Sequence, residues 1–254
     1  MKAPSAALFA LLVTASNAAR AAPRRHHFEP DDLELERAGI LDFDLQAGPV
    51  LGNSSSGDRV LIPDFEIGLG LTSNVELDVI GSFSIYRQNG RPAVTGDSLW
   101  IASKLGLVDE RDRHGNAWAL GLELGPRLPT FGAVGIGYGA LGLLGFKHRW
   151  LSLVLNAGSF IDPGTSLDEK GPRSLLLGLD MNAELDPRGQ WSLQSELALA
   201  HYLGPDPDQL ALAFGATYAV SSHLDVSLTA LGGFFPHSDH FALLLGASPQ
   251  LGLW

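Results

Sequence analysis

Charged side chains recur at every second position along much of this chain. In residues 40–46 (ILDFDLQ) acids alternate with apolar residues, and residues 63–71 and 75–84 follow the same rule. Two residues is the side-chain period of a β-strand, so each segment would have one apolar and one polar face. The charged residues that this counting places on the polar faces are Asp42, Asp44, Asp64, Glu66, Glu76, Asp78, Lys104, Glu123, Arg127, Asp180, Glu184, Glu196 and Asp225.

The chemistry that such a set could perform is selection among solutes. Acids on three consecutive strands would give the wall that they line a negative potential, which disfavours anions and admits small neutral or cationic solutes. The alternative is a closed interior in which the acids pair with Lys104, Arg127 and bound water. That arrangement would give a structural barrel without conductance.

Catalytic chemistry has little support in the sequence. It contains no nucleophile elbow, phosphate-binding loop or H-E-x-x-H motif, and we expect no enzyme, no cofactor and no metal ion. His237, Asp239 and His240 share one short segment and could form a hydrolase or metal site at a barrel rim. A polar loop that happens to contain histidine explains them more simply.

The elements that would position the charged residues are antiparallel strands. Apolar and charged residues alternate on both sides of Thr72-Ser73-Asn74, which is long enough only for a hairpin turn. The same counting along the chain predicts twelve strands and no amphipathic helix between them. The predicted strands are 40–49, 63–71, 75–84, 98–108, 117–127, 138–147, 150–160, 174–185, 191–202, 209–220, 224–234 and 241–254. The facing of 138–147 cannot be assigned, because glycine and leucine occupy both registers.

Three observations favour lipid over a dry core on the apolar side. Many inward charges would be costly in a core without water or partners. Longer connections (53–58, 87–96, 162–173) also alternate with shorter ones (72–74, 147–149, 221–223), as in an even-stranded up-and-down transmembrane barrel with both termini in the periplasm. Trp118, Trp150 and Trp191 begin strands on the short-turn side, where an aromatic girdle would lie.

The N-terminus predicts export. Residues 1–21 have a basic start, an apolar stretch and an A-x-A site, which are typical of a signal peptide cleaved after Ala21. Cleavage would change the formal net charge from −11 to −13, which argues against a nucleic-acid partner. Residues 22–38 would be a flexible periplasmic segment and 39–254 the barrel. With no cysteine in the chain, disulfides and thiolate chemistry are excluded.

Four segments in order resemble blocks of a known family: PDFEIGLGLTSNVELDV, GDSLWIASKLGLVDE, WALGLELGPRLPTFG and WLSLVLNAGSF. The family is the bacterial outer-membrane group described as similar to the meta-pathway of phenol degradation. The resemblance implies an outer-membrane barrel with a proposed transport role and without established catalytic residues. The final Trp254 resembles the C-terminal aromatic residue by which the barrel-insertion machinery recognises such proteins.

The sequence therefore predicts an all-β transmembrane barrel in the outer membrane of a Gram-negative bacterium. Its partners would be outer-membrane lipid, the insertion machinery and a small-molecule solute. We expect passive or facilitated passage of small molecules, including aromatic or apolar ones. The alternative is a structural or surface-interaction barrel with a closed interior.

Overall fold

A computed structural model describes residues 35–52, 57–88, 91–96, 99–111, 116–130, 134–164, 171–204, 206–236 and 238–254. The predicted signal peptide, most of the predicted lead-in and His237 lie outside these residues, so what was expected of them remains a prediction. Among the described residues, no helix is long and apolar enough to cross a membrane.

The described chain is built from antiparallel strands. Their bounds are β1 Ile40–Leu51, β2 Arg59–Thr72, β3 Val75–Gln88, β4 Arg91–Gly96, β5 Leu99–Arg111, β6 Asn116–Leu128, β7 Gly137–His148, β8 Leu151–Ile161, β9 Arg173–Glu184, β10 Trp191–Tyr202, β11 Gln209–Ser221, β12 Leu224–Gly233 and β13 Phe241–Gly252. Each strand pairs with its neighbours in the chain, except that β4 and β5 both pair with β3; β13 pairs with β1, and the β2–β3 pairing completes the ring. The strands from β1 to β3 and from β5 to β13 therefore form a closed barrel.

The ring has twelve strand positions, as predicted, although thirteen strands are described. Both β4 and β5 pair with β3, β4 along Phe83–Gln88 and β5 along Val75–Ile80, so they follow each other on one edge of β3. The prediction that 87–96 is an irregular loop is wrong in this respect. The hairpin of β3 and β4 extends the wall beyond the start of β5.

The predicted bounds hold to within a few residues for most strands, with two instructive differences. β2 begins at Arg59 and not at Pro63, because the register shifts between Leu61 and Asp64 and interrupts the count of two. β5 continues to Arg111, so part of the charged segment predicted as a turn at 109–116 belongs to strands. Since Asp109 and Glu110 are exposed, the charge that suggested a turn does not oppose a strand there.

The two ends of the barrel differ. One end carries the turns at 73–74, 149–150 and 222–223, together with the start of β1 and the end of β13; we call it the turn end. The other end carries the longer connections, such as 162–172 and 234–240, and we call it the loop end. At the turn end the barrel seam is closed by the backbone N–H of Leu253, which donates to the carbonyl of Gly39 at 2.7 Å.

Strand β7 resolves the facing that the sequence left open. Leu141 and Leu143 are buried, whereas Tyr138 and Leu144 are exposed to 62% and 46%. In a closed single-layer barrel a buried side chain points inward and an exposed one outward. Odd-numbered residues of β7 therefore line the interior, although two of them are leucine.

Candidate functional site

The interior of the barrel contains the charged residues that the sequence singled out. The structure buries Asp42, Asp44, Glu76, Asp78, Lys104, Glu123, Arg127, Asp180, Glu196 and Asp225. It leaves Asp64, Glu66 and Glu184 half-buried. Because leucines at the intervening positions, such as Leu45, Leu155 and Leu179, are exposed on the outside, the charged residues point inward. All of them except Arg127 lie toward the turn end or the middle of their strands.

A buried lysine lies between two glutamates on the inner wall. The strand register places Lys104 on β5 directly opposite Glu76 on β3 and directly opposite Glu123 on β6. Lys104 is 3% exposed and Glu123 is not exposed at all. Opposite charges at directly paired positions stabilise a sheet, and water screens them little at this depth. The attraction between Lys104 and the two glutamates therefore helps to hold β3, β5 and β6 together.

Elsewhere acids face acids. Glu196 is paired with Asp180, and Asp44 with Glu66, at directly opposite positions. Like charges at such positions repel each other, so a fold that retains them benefits from water or cations near them. Asp44 also accepts a hydrogen bond from the hydroxyl of Ser248 at 3.2 Å. The wall near the turn end consequently has a negative potential.

Glu36, four residues before β1, lies inside the barrel at the turn end, whereas Arg37 and Ala38 are exposed. Glu36 is 7% exposed, its backbone N–H donates to the Glu76 carboxylate, and its own carboxylate accepts from Gln250 Nε2 at 3.4 and 3.5 Å. A Cβ on Gly70 would lie 2.1 Å from the carbonyl oxygen of Arg37, and one on Gly106 would lie 2.8 Å from Leu35 Cδ1. Glycine on β2 and β5 therefore leaves room for this segment, and the end of the predicted lead-in is packed.

The loop-end half of the interior contains two apolar clusters beside buried polar residues such as Ser84, Arg127 and Ser174, and the sequence analysis did not predict these clusters. One cluster consists of Val50, Leu61, Ala211, Leu231, Ala242 and Leu244, on β1, β2, β11, β12 and β13. A second cluster consists of Trp100, Ala102, Leu141, Phe160 and Leu176, on β5, β7, β8 and β9. The sequence signal for these clusters is a change from polar to apolar residues along the inward face of a strand, toward the loop end. On β10, for example, Gln194 and Glu196 are followed by Ala198 toward the loop end.

Arg127 belongs to this loop-end half. Its guanidinium lies 4.9 Å from the centre of the Phe160 ring, and its Nε is 2.9 Å from Asp162 Oδ1. Trp100 meets Phe160 edge to face at 5.1 Å. The second cluster therefore carries a cation over an aromatic face, an arrangement that stabilises both groups when water is partly excluded. Arg127 is directed to Asp162 at the loop end.

The segment that suggested a hydrolase is engaged in a structural contact. Asp239 accepts two hydrogen bonds from Arg59, at 2.9 and 2.6 Å, and the two side chains are 18–19% exposed. A carboxylate held in this way is poorly placed to orient a catalytic histidine. Within the described ranges, no three or more His, Asp or Glu side chains are grouped so as to hold a metal ion.

A hydrogen bond between a histidine and a carboxylate lies on the outer rim of the loop end. His201 Nδ1 lies 2.9 Å from both carboxylate oxygens of Asp208. This hydrogen bond, followed by one from the backbone N–H of Tyr202, holds the pKa of Asp208 below its usual range.

The outer surface is apolar around the middle and aromatic near the turn end. Trp118, Trp150, Trp191 and Trp254 are 49–75% exposed. Trp118 packs on Phe146 at 4.5 Å, and Trp191 on Tyr218 at 4.6 Å. Exposed tryptophans beside a leucine-rich band are typical of the interfacial belt of transmembrane barrels.

The chain is similar in structure to several outer-membrane proteins. An outer membrane channel from Pseudomonas putida F1 matches with a TM-score of 0.57 and 13% identity, over 89% of this chain and 100% of that one. The translocator domain of the autotransporter NalP from Neisseria meningitidis matches with a TM-score of 0.41 and 12% identity, over 85% and 90%. The toluene transporter TodX of P. putida matches with a TM-score of 0.37 and 9% identity, over 84% and 89%.

No protein-family profile matches the chain. No curated protein matches it either. At 13% identity, the likeness to the P. putida channel shows the fold alone. This chain thus has the closed, antiparallel twelve-stranded fold found in an outer-membrane channel.

Proposed function

We propose that this protein is an outer-membrane barrel that lets small molecules pass, and that its solutes are apolar or aromatic in part and neutral or cationic overall. The observation that supports this proposal is the division of the interior. Solute from the loop end would first meet the apolar clusters, including Leu244 and Phe160, and then the acids around Asp44 and Glu196. Apolar walls favour apolar solute, and the acidic half disfavours anions.

The proposal includes a location and an orientation. Residues 1–21 would be removed on export, both termini would be periplasmic, and the loop end would face outward. The C-terminal strand β13, together with Trp254 two residues after its end, would be the part recognised during insertion. Membership of the family that the four sequence blocks resemble, and the absence of enzymatic activity, are parts of the same proposal.

A closed structural barrel is the second candidate, and one observation favours it. Residues 35–37 bridge the turn-end interior from Glu76 on β3 to Gln250 on β13. If they fill the space between these strands, the protein would be a barrel that does not conduct and instead serves the membrane or a surface partner.

Recordings from planar bilayers separate the two candidates. We expect the purified protein to conduct, and the reversal potential in a salt gradient to show preference for cations. Uptake of small aromatic solutes into vesicles should exceed uptake of anionic sugars of similar size. Absence of conductance together with absence of aromatic uptake would favour the closed barrel, and anion selectivity would contradict the acidic interior.

Substitution of Gly70 tests the role of the packed segment. In Gly70→Val, the new Cβ would meet the carbonyl oxygens of Arg37 and Glu36 at 2.1 and 2.5 Å, so the segment must move. We expect a several-fold rise in single-channel conductance. Gly142→Val is the matched control, because its Cβ on the outer face would meet only the carbonyl of Ala157, at 3.6 Å. Equal conductance in both variants would show that residues 35–37 do not limit passage.

A further inference from the structure

A short segment folds inward over the loop end of the barrel. The residues are Ser238–His240, between β12 and β13, and Ser238 is only 3% exposed. A Cβ on Gly233, an inward position at the end of β12, would lie 2.1 Å from the carbonyl oxygen of Asp239 and 2.5 Å from Ser238 Cβ. The segment therefore lies against the inner side of the wall, and we call it the mouth segment.

The mouth segment is fixed on both sides. On β11, Ser238 Oγ accepts from the backbone N–H of Leu210 at 3.0 Å and donates to the carbonyl of Leu210 at 3.1 Å. On β1, the carbonyl of Leu51 accepts from the N–H of His240 at 2.9 Å. On β2, Arg59 holds Asp239 with two hydrogen bonds. The contacts thus extend from β11 to β2 across the order β2-β1-β13-β12-β11.

These five strands also supply the first apolar cluster. Leu61 lies two residues after Arg59 on β2, Ala211 follows Leu210 on β11, and Leu231 precedes Gly233 by two residues on β12. Each anchor is therefore next to a cluster residue and nearer the loop end. The mouth segment covers the cluster on the side from which solute would arrive.

The anchors differ in kind. The contacts to β11 and β1 are neutral hydrogen bonds that use backbone groups, so no side-chain substitution on those strands removes their acceptors. The contact to β2 is a bidentate ion pair between side chains, which is strong and directional but can be broken and remade. It joins residues 180 positions apart in the chain. The ion pair is the anchor that could be released while the barrel stays closed.

We propose that the mouth segment is a latch over the apolar cluster, closed by the Arg59–Asp239 ion pair, and that opening it admits apolar solute to the interior. The claim that the latch regulates solute passage rests on the function proposed above. The claim that the mouth segment covers the cluster does not rest on that function, and it can be tested without measuring transport.

Access to the cluster can be measured with one introduced cysteine, because the chain has none of its own. Ala242 belongs to the first apolar cluster and is fully buried, so the Ala242→Cys variant places the thiol beneath the mouth segment. The rate at which a water-soluble methanethiosulfonate reagent modifies this cysteine in vesicle-inserted protein reports the opening of the latch. Adding Arg59→Glu should speed modification about tenfold, which corresponds to roughly 1.4 kcal/mol. Adding Asp239→Arg as well should restore the slow rate through the reversed pair.

A control and the flux readout complete the test. His201→Gln removes the imidazole contact with Asp208, which is at the same end but on the outer rim, and should leave the rate unchanged. The latch is contradicted if the cysteine is modified no faster with Arg59→Glu than in Ala242→Cys alone. It is also contradicted if the variant with the reversed pair is modified as fast as the variant with Arg59→Glu alone. If modification follows the prediction while Arg59→Glu vesicles take up no more aromatic solute, the latch stands and the proposed transport function fails.

Discussion

Replacing Lys104 by methionine is expected to destabilise the barrel by about 3–5 kcal/mol, the cost of leaving a buried charge without its partner. Lys104 is 3% exposed and stands opposite both Glu76 and Glu123. Methionine keeps much of the volume of the stem but removes the cation. Two carboxylates would then face the same apolar side chain, with Glu123 fully buried.

The free energy of unfolding in urea, followed by tryptophan fluorescence in lipid vesicles, measures this loss. Lys147→Met is the matched control, because Lys147 pairs with Glu184 at 3.7 Å and both side chains are more than a third exposed. It should cost at most about 1 kcal/mol. Adding Glu123→Gln to Lys104→Met should recover part of the stability. Equal losses for the two lysines would mean that the interior is as well hydrated at Lys104 as at Lys147.

Placing an arginine on the outside of the wall is the second change with a large expected effect. Leu155 lies at the middle of β8, points outward and is 45% exposed. If hydrocarbon surrounds the barrel there, Leu155→Arg should destabilise it by about 2–4 kcal/mol, the cost found for arginine at the bilayer midplane.

The control lies on the same strand and the same face. Leu151, at the start of β8, is near the turn-end belt, and Leu151→Arg should cost only about 0–1 kcal/mol. Unfolding in vesicles gives both values. If Leu155→Arg is neutral, or if the two substitutions cost the same, the outer surface of β8 faces water and not a bilayer.

The strands could be predicted because their side chains have different surroundings on the two faces. On β10, Leu197 and Leu199 alternate with Glu196 and Ala198, and the predicted bounds 191–202 agree with the structure. The period of two cannot assign the inward and outward faces of a strand where both faces carry similar side chains. Leu143 points inward and Leu144 outward on β7, yet their side chains are identical. A register shift, as between Leu61 and Asp64, leaves no mark in the pattern of apolar residues.

The contacts that shape the interior could not be predicted, because they join distant parts of the chain. Glu36 and Gln250 are separated by 214 residues, and Arg59 and Asp239 by 180. A local pattern identifies Asp239 as charged but not as the partner of an arginine on β2. The apolar clusters of the loop-end half are an intermediate case. Comparing Glu196 with Ala198 and Asn156 with Phe160, strand by strand, would have indicated them.

Quenching of single tryptophans by brominated lipids tests most directly which side of the wall faces the membrane. The chain has five tryptophans, of which Trp100 is buried in the interior at 2% exposure and Trp150 is 56% exposed on the outside. Two variants, each keeping one of these and replacing the other four by phenylalanine, are placed in vesicles. Strong quenching of Trp150 with little quenching of Trp100 is the predicted result. Equal quenching of both, or quenching of Trp100 alone, would contradict a barrel whose apolar face meets lipid.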